Sequence, residues 1–325
     1  MGPAHLHVLS ALKAAPRADT DVHVITPTDH LLHCTMLPGL VAGHYSSAAC
    51  TVQLPALLGT SSIKVSYTSC IGIDTESRQL QLGNGHTLAY DVLSINARPV
   101  VDKAAVDIAL PGAKEHAVFT QPAEQFAKLW PQLLAHAADK ALRISVVGSD
   151  ACSVELAMAL QHRLAHCRVS LITQAAALVP RYPPSVQQRV LHALKKSNIT
   201  VLQDTCTAIT ADHISLRSGA TVLCDVPLLT TQAHTPAWLQ GPVQAPVFWC
   251  NHEAMHSGPA LEGQLRAALA GQSLTKPAAS GLPLNPISCG SRKALASWGA
   301  LTLPGAWVWR YTDVINRRWI RQYQT

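Results

Sequence analysis

Short apolar runs alternate with amphipathic stretches along most of the chain. Apolar residues that recur at helical spacing predict helices, and short runs of apolar or β-branched residues predict strands. The predicted helices cover residues 5–14, 122–139, 151–166 and 184–196. The predicted strands cover residues 22–25, 63–67, 78–82, 92–95, 143–147, 169–172, 199–202, 206–210, 213–216 and 220–224. Strands that alternate with helices pair in parallel, so the pattern predicts an α/β fold.

Turn-forming residues divide this pattern. Gly83-Asn84-Gly85 follows a predicted strand and is typical of a hairpin turn. Pro111-Gly112 marks a boundary between predicted elements. Residues 275–286 are rich in Pro, Gly and Ser, which indicates a linker ahead of a separate C-terminal stretch.

Composition narrows the class of protein. The chain has 325 residues, of which 48% are apolar, which is enough for two packed domains and excludes a disordered chain. It contains no apolar run long enough to span a membrane. Its start carries no charged-then-apolar leader, and its nine Cys include no CxxC pair, so we expect a cytoplasmic protein with reduced thiols.

Residues 144–155 contain the most informative motif. The apolar run before Gly148 leads directly into a helical pattern, and such a turn is where a dinucleotide pyrophosphate rests on a helix N-terminus. The usual fingerprint is G-x-G-x-x-G, and here Asp150 and Ser153 occupy the second and third glycine positions. A carboxylate at Asp150 suits the helix dipole but repels a diphosphate. The turn therefore predicts either an NAD(P)H site or a structural βα turn that binds nothing.

The beginning of the chain resembles a second turn of this kind. Gly2 and Pro3 stand ahead of a helical pattern, as Gly148 stands ahead of residues 151–166. The strand that would lead into this turn is absent from the sequence. Two such turns predict an oxidoreductase that uses two nucleotide cofactors.

Other segments add a resemblance to a known family. They read Met36-Leu37-Pro38-Gly39-Leu40-Val41-Ala42-Gly43-His44-Tyr45, Tyr90-Asp91-Val92-Leu93-Ser94-Ile95, Ala296-Ser297-Trp298-Gly299, and Trp307-Val308-Trp309-Arg310 through Asp313, Ile315, Arg317 and Arg318. Together with the two turns they resemble the FAD/NAD(P)-dependent pyridine nucleotide-disulfide oxidoreductase superfamily. The branch they resemble most is that of type II NADH dehydrogenase-like proteins, often found beside or fused to selenide water dikinase.

The resemblance implies two interleaved Rossmann-like nucleotide-binding domains with a C-terminal extension. Residues 1–110 and 227–275 would form the FAD-binding-type domain, residues 111–226 the NAD(P)-binding-type domain, and residues 276–325 the extension. The implied activity is an FAD-dependent NAD(P)H oxidoreductase that passes electrons to a quinone-like acceptor. Because the cofactors carry this chemistry, no catalytic acid or nucleophile is implied. The implied cofactor contacts are Gly2, Pro3, Thr26, Met36, Leu37, Pro38, Gly148 and Glu155.

The sequence also departs from the family near residue 250. Asn251 and His252 stand where the family has a Gly-Asp pair that holds the ribityl-phosphate region of the flavin. Asn restricts a close backbone approach, and His does not accept the same hydrogen bonds as Asp. The connection from Trp238 to Val247 is shorter than in the family. These departures leave an alternative, a non-catalytic or truncated relative that keeps the scaffold and binds FAD and NAD(P)H weakly or not at all.

The C-terminal tail is basic and aromatic. Tyr311, Ile315 and Trp319 recur at helical spacing, with arginines mostly off that stripe. A helix of this kind lies on anionic membranes, so the stretch from Trp307 to Tyr323 predicts peripheral attachment to the inner face of a membrane, near a quinone. The alternative is an ordinary helix that packs on its own domain or on the second subunit of a homodimer. We expect no nucleic-acid partner.

The remaining histidines favour ordinary structure over a metal site. His252-Glu253-Ala254-Met255-His256 matches the zinc motif H-E-x-x-H, but Gly258 and Pro259 follow directly and no suitable third ligand lies downstream. His162 and His166 lie one turn apart near a predicted helix end, where His interacts favourably with the helix dipole. We therefore expect no bound metal.

Overall fold

The structure is a computed structural model that describes residues 1–96, 100–174, 177–230, 234, 236–239, 247–249, 257–272, 284–298 and 301–324. The α-helices of these residues are α1 (Pro3–Ala14), α2 (Leu37–Val41), α3 (Leu54–Leu58), α4 (Lys103–Ala109), α5 (Ala113–His116), α6 (Ala123–His136), α7 (Ala151–Arg163), α8 (Pro184–Lys196), α9 (Gly258–Leu269) and α10 (Ala306–Arg321). The strands are β1 (His23–Thr26), β2 (His30–Leu32), β3 (Thr51–Gln53), β4 (Lys64–Tyr67), β5 (Cys70–Asp74), β6 (Gln79–Leu82), β7 (Thr87–Ala89), β8 (Leu93–Ile95), β9 (Val118–Phe119), β10 (Arg143–Val147), β11 (Arg168–Thr173), β12 (Thr200–Gln203), β13 (Cys206–Ile209), β14 (His213–Leu216), β15 (Thr221–Leu223), β16 (Val226–Leu229), β17 (Val247–Trp249), β18 (Asn285–Ser288), β19 (Ala294–Trp298) and β20 (Leu301–Gly305).

The largest sheet of the described residues has five parallel strands in the order β12-β11-β10-β16-β9. β10 lies in the centre, where Ile144 and Val146 are fully buried. A central parallel strand is covered on both faces, so its sequence is a nearly continuous apolar run. α7 packs on β10 and β11, and α8 packs on β12. The predicted α/β fold with parallel sheets is confirmed.

The first part of the chain also contains parallel strand pairing, but its described parallel strands form two separate sheets. Among the described strands, β1 pairs in parallel with β4, β8 pairs in parallel with β17, and each pair forms its own two-stranded sheet. α1 begins at Pro3, and no strand precedes it in the residues described. Its first turn meets the end of β8, where the Ala4 N–H donates to Asn96 Oδ1 at 3.1 Å. α7 similarly begins beside Thr230 at the end of β16. α1 and α7 therefore occupy equivalent positions, each starting against the end of a parallel strand.

Antiparallel sheets extend both parts of the molecule. Among the described residues, three of them have the orders β5-β6-β7, β13-β14-β15 and β18-β19-β20, and β2 and β3 form a two-stranded one. The predicted hairpin turn joins β6 to β7, and Gly85 there has a φ of 84°, which glycine adopts without strain. The prediction that the linker extends to residue 286 is wrong, because β18 begins at Asn285. Pro286 is tolerated there since β18 is an outer strand of its sheet.

The C-terminal helix α10 packs on β18, β19 and β20. Its inward face buries Val308, Asn316, Trp319 and Ile320. Within the described ranges, no helix is both long and apolar enough to cross a membrane. Asn251, His252 and the H-E-x-x-H match lie outside the described residues, so the predictions made for them stay predictions.

Candidate functional site

The turn between β10 and α7 is shaped by the close packing of Gly148. Its N–H donates to Ile172 O at 2.9 Å. A side chain at this position would collide with Thr230 Oγ1 and Ser153 Oγ, so the turn requires glycine. Ser153, which replaces the third glycine of the fingerprint, is fully buried in the contact between α7 and the end of β16.

The side chain of Asp150 caps the N-terminus of α7. Its carboxylate accepts the Ser153 N–H at 2.9 Å and also the Ser153 hydroxyl. Ser153 Oγ lies 2.6 Å from Thr230 Oγ1, and Thr230 Oγ1 donates to Val147 O at 2.9 Å. A carboxylate of the protein therefore already occupies the position to which a helix N-terminus attracts an anion.

Glu155 lies in the second turn of α7 and connects this helix to the C-terminal sheet. Its carboxylate accepts the backbone N–H of Ser288, in β18, at 2.7 Å. Burial raises the pKa of Glu155 to about 8, the bond from Ser288 opposes this rise, and the nearby charge of Asp150 adds to it. An acid with such a pKa is mostly protonated near neutral pH and holds a proton at its carboxyl oxygen.

Gly2 and Pro3 start α1 against the end of β8. A side chain at Gly2 would collide with Asn96, whose amide oxygen accepts the Ala4 N–H. The first turn of α1 contains no acidic residue. His5 is neutral there, because burial lowers its pKa to about 3. In contrast to α7, the N-terminus of α1 is therefore met by a neutral amide.

Thr26, Met36, Leu37 and Pro38 all lie in the first part of the chain, with buried side chains. Thr26 ends β1, Met36 ends a short 3-10 turn, and Leu37 begins α2. No helical pattern in the sequence predicts α2, but α2 packs directly on α7. The structure thus places the segment 36–38 beside the helix that carries Glu155.

The two helix N-termini differ in their fit to a dinucleotide. The start of α1 carries no negative charge and is compatible with the phosphates of FAD. At the start of α7 the Asp150 carboxylate opposes the diphosphate of NAD(P)H, because negative charges a few ångströms apart repel each other. Since the side chains of Met36 and Leu37 are buried, their backbone atoms are the groups left to contact a cofactor.

The outward face of α10 differs from the predicted stripe. Trp319 is only 7% exposed because it packs against His33, whereas Tyr311 is 52% exposed. Positions i and i+8 of a helix are about 80° apart around its axis, so the stripe that includes Ile315 is divided between two faces. The exposed face instead carries Trp307, Arg310, Tyr311, Val314, Arg318 and Arg321.

His162 and His166 have different partners. His166 Nε2 lies 2.6 Å from Ala137 O, whereas the ring of His162 lies 5.4 Å from that of His44. Burial, with positive charge nearby, lowers the pKa of His162. In the parts of the chain that the structure describes, no group of three or more His, Cys, Asp or Glu is arranged to hold a metal ion.

The sequence profile of the pyridine nucleotide-disulphide oxidoreductase family matches residues 2–231. This range includes the starts of α1 and α7. No curated protein sequence matches the chain.

Several solved structures share the fold over most of the chain. Sulfide:quinone oxidoreductase from the hyperthermophilic bacterium Aquifex aeolicus has a TM-score of 0.78 at 15% identity, over 100% of this chain and 90% of that chain. NDH2 from Plasmodium falciparum in complex with NADH has a TM-score of 0.73 at 13% identity, over 98% and 94% of the two chains. A NAD-dependent persulfide reductase from A. fulgidus has a TM-score of 0.71 at 14% identity, over 91% and 62%. At these identities the likeness establishes the fold alone.

Proposed function

Because the chain belongs to the pyridine nucleotide-disulphide oxidoreductase family, we propose that it is an FAD-dependent NAD(P)H oxidoreductase that passes electrons to a quinone-like acceptor. The observation that carries this proposal is the pair of equivalent glycine turns, one at the start of α1 and one at the start of α7, within the matched residues. FAD, when bound, supplies hydride acceptance from NAD(P)H and electron transfer to the acceptor.

The assignment of cofactors follows the charges at the two turns. We assign FAD to the start of α1 and to the segment 36–38, with the domain bounds expected from the sequence. The neutral N-terminus of α1 supports this assignment, since it offers unopposed attraction to phosphate. We assign NAD(P)H to Gly148 and Glu155, where Asp150 weakens the hold on its diphosphate.

The exposed face of α10 supports a membrane-bound acceptor. Trp307 and Tyr311 are aromatic residues of the kind that settle at a lipid–water interface, and Arg318 and Arg321 on the same face attract anionic lipid. We therefore propose peripheral attachment to the inner face of a membrane, where a quinone is accessible. Self-association through this face, the alternative, would give a homodimer in solution.

A second candidate function rests on Asp150. The carboxylate that caps α7 favours a relative that keeps the scaffold and binds NAD(P)H weakly or not at all. In that case the molecule would retain FAD but would not be reduced by a nicotinamide nucleotide at ordinary concentrations.

Flavin loading followed by reduction separates these possibilities. The purified full chain is incubated with FAD, freed of unbound cofactor and examined for visible flavin absorbance. It is then mixed anaerobically with NADH or NADPH, and a soluble quinone is added. We expect stoichiometric flavin, bleaching by one nucleotide and reoxidation by the quinone, with bleaching lost in Gly148→Asp. Absence of retained flavin refutes the proposal, and retained flavin that neither nucleotide bleaches supports the second candidate.

A further inference from the structure

The inward face of α10 contacts a segment that is distant in sequence, and it contacts this segment at both of the segment's ends. This segment runs from His33 to Tyr45 and includes the residues 36–38 assigned above to FAD. The contacts join positions more than 260 apart in the sequence, such as Tyr45 and Trp309. No local preference of residues 33–45 accounts for them, so they depend on where α10 lies.

The first end of the segment is held by the buried amide of Asn316. Its Oδ1 lies 3.2 Å from His33 Nε2 and accepts the Thr35 hydroxyl at 3.1 Å. Thr35 Oγ1 also lies 2.8 Å from His33 Nε2, so the three groups form a closed triangle. Trp319 stacks on the His33 ring with centroids 4.4 Å apart. His33 and Asn316 are 2% and 5% exposed, so water does not replace the bond between them.

The second end of the segment is held by Asp313, one turn before Asn316. Asp313 accepts the Arg317 Nε–H at 2.8 Å. The Arg317 guanidinium lies over the Tyr45 ring at 4.9 Å from its centroid. Burial and the neighbouring Asp313 carboxylate raise the pKa of Tyr45, so its hydroxyl stays protonated.

The backbone between these two ends of the 33–45 segment is packed tightly, so its position depends on where the ends lie. A side chain at Gly39 would collide with the Tyr45 ring, so the ring lies flush against the backbone of α2. Met36 and Leu37 are 1% and 3% exposed and are enclosed in the main core. A displacement of either end therefore moves backbone that has no free space to absorb the change.

We propose that Asn316 and Asp313 are positioning residues that set the backbone of residues 36–38 through the two ends of the 33–45 segment, so that the C-terminal helix completes the flavin site. This inference rests on the proposed function for its flavin part. The fixing of the segment itself is a property of the protein without cofactor and can be tested separately.

Hydrogen exchange of the full chain without FAD tests the fixing of the segment. Asn316→Ala removes an acceptor shared by the buried His33 ring and the hydroxyl of the exposed Thr35, and we expect exchange within residues 33–41 to rise roughly 10- to 100-fold. Asn316→Asp keeps the acceptor oxygen and should restore slow exchange. Thr312→Ala is the matched control, because the Thr312 hydroxyl bonds only Val308 O within α10. Unchanged exchange in Asn316→Ala, or an equal rise in Thr312→Ala, would overturn the proposal.

Flavin titration tests the consequence for the cofactor. We expect Asn316→Ala to weaken FAD binding roughly tenfold and to alter the visible spectrum of the bound flavin, with both effects reversed in Asn316→Asp. Unchanged affinity and spectrum alongside faster exchange would refute the positioning of flavin by the segment. If the unmodified chain binds no FAD, the proposed function fails, while the exchange result still decides whether α10 fixes the segment. Should Asn316→Ala fail to fold, Asp313→Ala removes the carboxylate that holds Arg317 over the Tyr45 ring and is expected to speed exchange in the same way.

Discussion

Replacing Asp150 by Asn isolates the effect of one negative charge on nucleotide binding. Asn caps a helix about as well as Asp and keeps an oxygen that can accept the Ser153 N–H. The substitution therefore leaves the start of α7 intact and removes only its charge. If NAD(P)H binds at this turn, its affinity should rise.

The size of the rise follows from Coulomb's law. A phosphate held at the start of α7 would lie about 5 Å from the Asp150 carboxylate. The repulsion between two unit charges at this distance is about 3 kcal/mol at an effective dielectric constant of about 20, and about 0.8 kcal/mol in water. The Kd for NAD(P)H should then fall roughly 4- to 150-fold. The lost interaction of Asp150 with the helix dipole lowers the free energy of unfolding by only about 0.3–1 kcal/mol.

Nucleotide titration, followed by NADH fluorescence at low and high salt, checks this prediction. The gain in affinity should be larger at low salt, because counterions screen the repulsion. Asp102→Asn is the matched control, since Asp102 caps α4 by accepting the N–H groups of Ala104 and Ala105. Equal NADH affinity in Asp150→Asn and the unmodified chain would show that this carboxylate does not limit binding.

Three further substitutions test other parts of the structure. Gly148→Ala should lower the free energy of unfolding by roughly 1–3 kcal/mol, since its methyl group meets Thr230 Oγ1 and Ser153 Oγ, and an unchanged urea midpoint contradicts this. For Glu155, the folded pKa of about 8 lies above the ordinary 4.5, so the folded state holds an extra proton between these values and stability falls as the pH rises through this window. Glu155→Gln should flatten that fall in denaturation curves measured from pH 5 to 8, and an unaltered slope assigns it to other groups. Trp307→Ala should weaken sedimentation with anionic vesicles roughly tenfold, because an interfacial aromatic side chain is lost from the exposed face of α10, whereas unchanged binding to anionic vesicles would place membrane contact elsewhere.

The sequence alone was sufficient where local pattern and packing agree. β10 and α7 were predicted nearly to the residue, because the apolar run 143–147 is buried in a parallel sheet and Gly148 ends it. α2 was missed because Leu37-Pro38-Gly39 contains two residues that usually break helices. Pro38 is nevertheless compatible with the first turn of a helix, where its missing N–H has no partner to lose.

Much of the candidate site could not be predicted because it depends on contacts between distant residues. Asp150 was expected to face the pyrophosphate side of the turn, but its bonds to Ser153, and the contact of Ser153 with Thr230, require the folded sheet. The sequence left open whether the face of α10 that carries Trp319 contacts a membrane or packs on protein, since nothing near it in sequence shows that His33 covers it. Helical spacing predicts that a stripe exists and does not indicate which neighbour buries it.

In the first part of the chain, the described parallel strands form two separate sheets, β1-β4 and β8-β17. This division affects which part of the molecule unfolds first. A two-stranded sheet contributes little cohesion of its own, whereas the five strands around β10 share one continuous ladder. Among the described residues, the half assigned to flavin therefore has fewer paired strands and depends more on the helices packed on it. A ligand that binds this half should therefore stabilise it most. We expect such binding to raise the melting temperature of the protein even in the absence of electron transfer.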